Sequence, residues 1–169
     1  SYLDRGVRLV PNIKPALLRD HPRFGEAAQA GLLIHDPDGQ PTAVQFWDGT
    51  GGYLDFTNPA TIAWWKQQVT TQLLQLGIPT TWNDNNEFEI WSAQAQVHGF
   101  GTPRAAMEAR PLQTLLMVQA SHAAQTAYAP QERPFLVSRS GAAGMQRYVQ
   151  TWSGDNYTAW DTLKYNIRM

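Results

Sequence analysis

Two aspartates stand in settings that could support acid–base chemistry on a substrate. Asp84 lies within Trp82-Asn-Asp-Asn-Asn-Glu87, and Asp155 within Trp152-Ser-Gly-Asp-Asn156. Each follows a short run of β-branched and aromatic residues, so each belongs where a strand gives way to a loop. Glycoside hydrolysis uses such a pair. A carboxylic acid protonates the leaving oxygen and a carboxylate works on the opposite face of the sugar, about 5 Å away when configuration is retained. Plainer readings stand beside this one: Asp84 as a loop-capping carboxylate, Asp155 as a turn aspartate ahead of a helix. Trp82 and Trp152 shift the balance, because they put an aromatic ring next to each candidate acid.

The elements that must position these residues can be read in order. Gly6 to Ile13 is a β-branched run that predicts a buried strand, stopped by Lys14-Pro15. From Leu17 to Val44 the pattern is broken by Pro22, Gly25, Gly31, Pro37, Gly39 and Pro41, with turn chemistry at Asp36-Pro-Asp-Gly39. Phe46 to Phe56 reads as a glycine-rich loop carrying aromatics. Asn58 then caps a helix with Pro59 in its first turn and Gly77 past its end, its buried face built from Ile62, Trp65, Val69, Leu73 and Leu76.

Further strands are expected at Ile78–Trp82, Pro134–Ser138 and Tyr148–Trp152, a helix from about Pro111 to Tyr128, and an amphipathic segment from about Thr158 to Met169. Alternation of strands and helices with polar residues at successive strand ends predicts an α/β fold with a parallel sheet and flanking helices. A doubly wound sheet is the other arrangement this alternation allows. A complete (β/α)8 TIM barrel takes about 250 residues. Four strand–helix units would supply about half of one, and the chain is expected to be a piece of a longer polypeptide.

Composition narrows the partners. With 13 lysines and arginines against 14 aspartates and glutamates, the net charge of −1 gives no footprint for nucleic acid or an anionic membrane. No stretch approaches the roughly 18 apolar residues that span a bilayer. The absence of cysteine removes disulfides, thiolate metal sites and cysteine nucleophiles, and leaves the compartment open. His21, His35, His98 and His122 fall at no strand end, so neither a metal site nor a cofactor is expected.

Five blocks together resemble family 31 of the glycoside hydrolases. Trp82–Glu87 is similar to its nucleophile signature and Trp152–Asn156 to its acid/base signature. Arg8–Pro15 resembles its third barrel strand, Trp47-Asp-Gly through Asp55–Pro59 its tryptophan loop, and Arg133–Gly141 its fifth strand. The blocks occur in the family's order over nearly the whole chain, and the resemblance implies that residues 1–169 are a partial (β/α)8 catalytic domain of a longer glycosidase, at about strands 3 to 6.

The resemblance implies a retaining, exo-acting α-glucosidase with Asp84 as nucleophile and Asp155 as general acid/base. Trp47, Trp82, Asn85, Arg139 and Trp152 would hold the sugar. Asp155 would have to keep its proton near neutral pH, which calls for apolar surroundings or a nearby like charge. Asn83 and Asn85 depart from the aliphatic residue and methionine common around the family's nucleophile, which leaves linkage preference open. The partners implied are an α-glucoside oligosaccharide and the missing barrel segments. Unburied strand edges and helix faces predict that the isolated chain associates into an oligomer, is marginally stable, or is a piece of something larger. A transglucosidase, and a non-catalytic carbohydrate-binding or assembly fragment, are the alternative readings.

Overall fold

The computed structural model describes residues 2–167. In chain order the elements are β1 (Asn12–Ile13), β2 (Ala16–Leu18), α1 (Phe24–Gln29), β3 (Val44–Phe46), β4 (Gly49–Tyr53), α2 (Pro59–Gln72) and β5 (Thr80–Asn83). There follow β6 (Gln96–Val97), β7 (Arg104–Ala105), α3 (Ala106–Tyr128), β8 (Phe135–Ser138), β9 (Gln150–Thr151) and α4 (Trp160–Asn166).

The central sheet is parallel, in the order β1-β5-β8-β9. The long helices α2 and α3 pack on each other and enclose the main core, where Phe56, Phe88, Leu54, Ile34 and Met117 are almost fully buried. A smaller cluster of Val118, Leu136, Met145 and Val149 forms a second core, with Leu115 and Tyr148 packed against it. Parallel strands with helices outside form part of a (β/α)8 barrel, as the sequence pattern predicts.

Between β1 and α2 the chain builds a second, antiparallel sheet in the order β2-β4-β3. Phe46–Phe56 is therefore a β-hairpin rather than a loop, with Trp47 and Asp48 at its turn. The glycines that suggested a loop serve close packing instead. A Cβ on Gly51 would lie 2.2 Å from the Leu17 carbonyl oxygen, so β4 can approach β2 only because that atom is absent.

Several boundaries differ from those expected, each for a local reason. The buried strand predicted over Gly6–Ile13 is ordered as β-structure only at Asn12–Ile13, and Val7, Leu9 and Val10 are exposed. Among the described residues β1 has a sheet neighbour on one side only. Helix α2 is capped by Asn58, whose side chain accepts from the Ala60 N–H at 2.9 Å, and Gly77 is left-handed as expected. A 3-10 turn at Leu74–Leu76 rotates the apolar stripe, burying Leu74 and exposing Leu76.

Helix α3 starts at Ala106, five residues ahead of Pro111, because β7 pairs with β6 and the Ala106 N–H bonds the Ala95 carbonyl at 2.8 Å. The strand predicted at Tyr148–Trp152 shortens to Gln150–Thr151. The final segment forms a helix at Trp160–Asn166 that buries none of its residues, so it has no apolar face against the rest of the chain. Arg168 and Met169 lie outside the described residues.

Candidate active site

Cross-strand register assembles the site. Ile13 pairs with Asn83, Asn83 with Ser138, and Ser138 with Thr151. One residue further along each strand stand Lys14, Asp84, Arg139 and Trp152, so all four fall in one row at the carboxyl end of the sheet, where barrel enzymes place their chemistry. Backbone bonds fix the row: the Asp84 N–H donates to the Ile13 carbonyl at 2.9 Å, and the Arg139 N–H to the Asn83 carbonyl at 3.0 Å.

Asp84 is buried, its side chain 9% exposed. Its Oδ2 accepts from Asn12 Nδ2 at 2.7 Å and lies 3.7 Å from Lys14 Nζ. Its Oδ1 lies 3.6 Å from Arg139 Nη1. The same Nη1 donates to Asp155 Oδ2 at 3.2 Å. One guanidinium nitrogen therefore bridges the two aspartates singled out by sequence. The bridged oxygens can be no farther apart than those two contacts laid end to end. That bound admits the roughly 5–5.5 Å separation of retaining glycosidases.

The rest of Arg139 is taken by Glu87, a residue the sequence reading did not single out. Nε and Nη2 donate to Oε1 and Oε2 at 2.8 and 3.1 Å, a bidentate pair. The Arg139 pKa is raised above the ordinary arginine value, first by this hydrogen bond and further by the charges of Glu87, Asp84 and Asp155, against an opposing desolvation. The guanidinium stays charged throughout the working range. Asn12 and Lys14 were also missed; a polar residue in or just past the end of a strand was the available signal.

The remaining expected residues divide into two groups. Trp82 and Trp152 meet edge to face, ring centroids 5.4 Å apart. Trp47 and Asn85 instead line a cleft of about 770 Å3 that also reaches Arg139 and Asp155. Trp47 is 97% exposed at the tip of the β3–β4 hairpin, and Asn85 adopts a left-handed backbone with φ 48°. Neither Asp84 nor the Trp82–Trp152 pair lines that cleft.

Asp155 differs from expectation. Its side chain is 89% exposed, and Arg139 is its partner. The desolvated surroundings expected for a general acid are not supplied by the described residues, because the segment after β9 packs on nothing that would cover it. No group of three or more histidine, cysteine, aspartate or glutamate side chains is arranged for a metal among the described residues.

The sequence model of the glycosyl hydrolases family 31 TIM-barrel domain matches residues 1–169. Alpha-glucosidase 2 of Bacillus thermoamyloliquefaciens is 29% identical over 98% of the chain and 22% of its own length. Human neutral alpha-glucosidase AB is 33% identical over 85% of the chain and 16% of its own length. The GH31 dextranase of Flavobacterium johnsoniae, solved with glucose, superposes with a TM-score of 0.81 at 24% identity, covering 91% of this chain and 20% of the dextranase. The chain thus spans about a fifth of the length of the relatives it matches.

Proposed function

The chain belongs to the TIM-barrel domain of glycosyl hydrolase family 31, and on that premise we propose that it carries the catalytic pair of a retaining, exo-acting α-glucosidase. The substrate class is short α-linked gluco-oligosaccharides, and residues 1–169 are one part of the catalytic domain of a longer glycosidase. In the proposed cycle Asp84 attacks the anomeric carbon, the glycosidic bond breaks, and the leaving oxygen takes the proton of Asp155. Asp155, now a carboxylate, accepts a proton from water, which cleaves the glucosyl ester and releases Asp84.

The observation that carries this reading is the shared Arg139 Nη1, which keeps Asp84 Oδ1 and Asp155 Oδ2 within reach of one sugar. The names of the similar proteins support the same substrate class. The buried nucleophile is met by two cations and an amide, a setting that suits a charged carboxylate. Exposure of Asp155 favours a second reading for the chain taken alone, that of an assembly fragment whose acid becomes enclosed only against other barrel segments.

A fluorinated α-glucosyl fluoride that traps the covalent intermediate, followed by peptide mass spectrometry, tests both. A glucosyl adduct on Asp84 in the full-length product is the expected result. An adduct on the isolated chain as well would dismiss the assembly reading, and an active full-length enzyme labelled elsewhere would overturn the assignment of Asp84.

A further inference from the structure

The loop after Asp84 is built to present one aromatic ring. Asn85 and Phe88 both adopt left-handed backbones, at φ 48° and 53°, a conformation that asparagine tolerates and that is unfavourable for a bulky residue such as Phe88. What holds the loop there is Phe88, fully buried, whose ring contacts Tyr53 at 5.0 Å and Phe56 at 6.3 Å between centroids. Ile90 is buried beside them. Trp91, next in line, is turned outward and 78% exposed.

A single exposed ring needs no explanation by itself; at Trp91 it is the cation held over the ring and the cleft the ring lines that point to a use. The Arg110 guanidinium lies over the Trp91 ring, 5.8 Å from its centroid, and Arg110 Nε donates to the Glu87 carbonyl at 3.4 Å. The ring is therefore steadied from behind by a cation tied to the same loop. Trp91 lines the same 770 Å3 cleft as Trp47, Arg139 and Asp155. Since that cleft touches Asp155 and avoids Asp84, it runs outward from the acid's side of the pair. The acid's side is where the leaving group departs.

We propose that Trp91 is a stacking platform for the sugar on the leaving side of the scissile bond, and that the cleft between the 85–92 loop and the β3–β4 hairpin binds at least one leaving-side glucosyl unit. The inference rests on the α-glucosidase reading given above. Trp91 covers an apolar face of the ring, while Glu89 and Ser92 on the same loop offer oxygens to its hydroxyls. A sugar seated there would also cover Asp155 and supply the desolvation that the described residues do not.

The test compares two donors on the full-length product: a maltose or isomaltose oligosaccharide, which fills the leaving side, and α-glucosyl fluoride, whose leaving group is a single atom. Trp91→Ala should lower kcat/KM for the oligosaccharide by roughly tenfold or more relative to its effect on the fluoride. Trp91→Phe should restore most of that difference. Equal losses on both donors, or no loss on the oligosaccharide, would overturn the platform while leaving the glucosidase reading intact. A wild-type protein inert toward α-glucosyl fluoride would overturn that reading, and the platform with it.

Discussion

Arg139 and Glu87 hold each other through two parallel hydrogen bonds, which leaves Nη1 as the arm that reaches Asp84 and Asp155. The pairing selects one orientation of the guanidinium plane out of many, and both catalytic candidates depend on it. Glu87 touches neither aspartate through any contact described for it, so its effect on chemistry would be one of position.

Glu87→Gln should loosen Arg139 and lower kcat/KM on oligosaccharides by about 10- to 100-fold. Stability should fall by about 1 kcal/mol, since the partners are 22% and 29% exposed and the pair is partly screened. Steady-state kinetics alongside urea midpoints separates the two effects. A stability loss without a kinetic one would assign Glu87 a structural role alone.

Asn83, directly before Asp84, is fully buried, and Ser121 on α3 satisfies its amide oxygen. Ser121 Oγ donates to Asn83 Oδ1 at 2.8 Å and accepts from Trp65 Nε1 at 2.9 Å. Ser121→Ala strands both groups, at a cost of about 1–3 kcal/mol for each buried polar atom left unpaired. Asn83→Val combined with Ser121→Ala should recover part of that loss, because the stranded amide oxygen is gone, and only part, because the Val137 carbonyl gives up the bond that Asn83 Nδ2 donates to it at 3.2 Å. Thermal unfolding of the single and double variants reads the coupling directly; strict additivity would refute it.

The same network explains what the sequence made legible. Parallel strands, the Asn58 cap and the two aspartates were readable because each depends on local chemistry: β-branched runs, a capping side chain, an acid at a strand end. Glu87 was hidden because its partner Arg139 is 52 residues away, a pairing created by the β5–β8 register. The β3–β4 hairpin was hidden for a related reason. Gly51 resembles a loop glycine until the Leu17 backbone that needs its missing Cβ is in place. The outward turn of Trp91 likewise depends on the burial of Phe88, which no spacing announces.

Tyr53 gives the fold a pH dependence on the alkaline side. Burial in the core raises its phenol from 10.0 to about 12, with a hydrogen bond from the Glu89 backbone acting in the opposite direction. The native state thus keeps a proton that the unfolded chain gives up near pH 10. Its contribution to stability is complete below that pH and is lost as pH rises from 10.0 towards about 12, at about 1.4 kcal/mol per pH unit. Urea midpoints of the wild type and Tyr53→Phe, measured between pH 9 and 11, should converge as pH rises. Parallel curves would show that Tyr53 is not the titrating group.

The roles of the two aspartates can be told apart by what replaces them. Asp155→Ala removes an exposed side chain and should leave the fold unchanged. With α-glucosyl fluoride, whose departure needs no proton, the covalent intermediate still forms, but its hydrolysis lacks a base and turnover falls by about 10²–10⁴-fold. Added azide should then restore turnover by attacking that intermediate, and the product should be α-glucosyl azide, because two inversions have occurred. Asp84→Ala offers azide a different position, the space the nucleophile occupied, and one inversion would give the β-glucosyl azide. Asp84→Asn, which can still pair with Asn12, controls for loss of folding around this buried site. Product anomers assigned by NMR decide the matter: the same anomer from both variants, or equal loss without azide rescue in either, would sink the division of labour between Asp84 and Asp155.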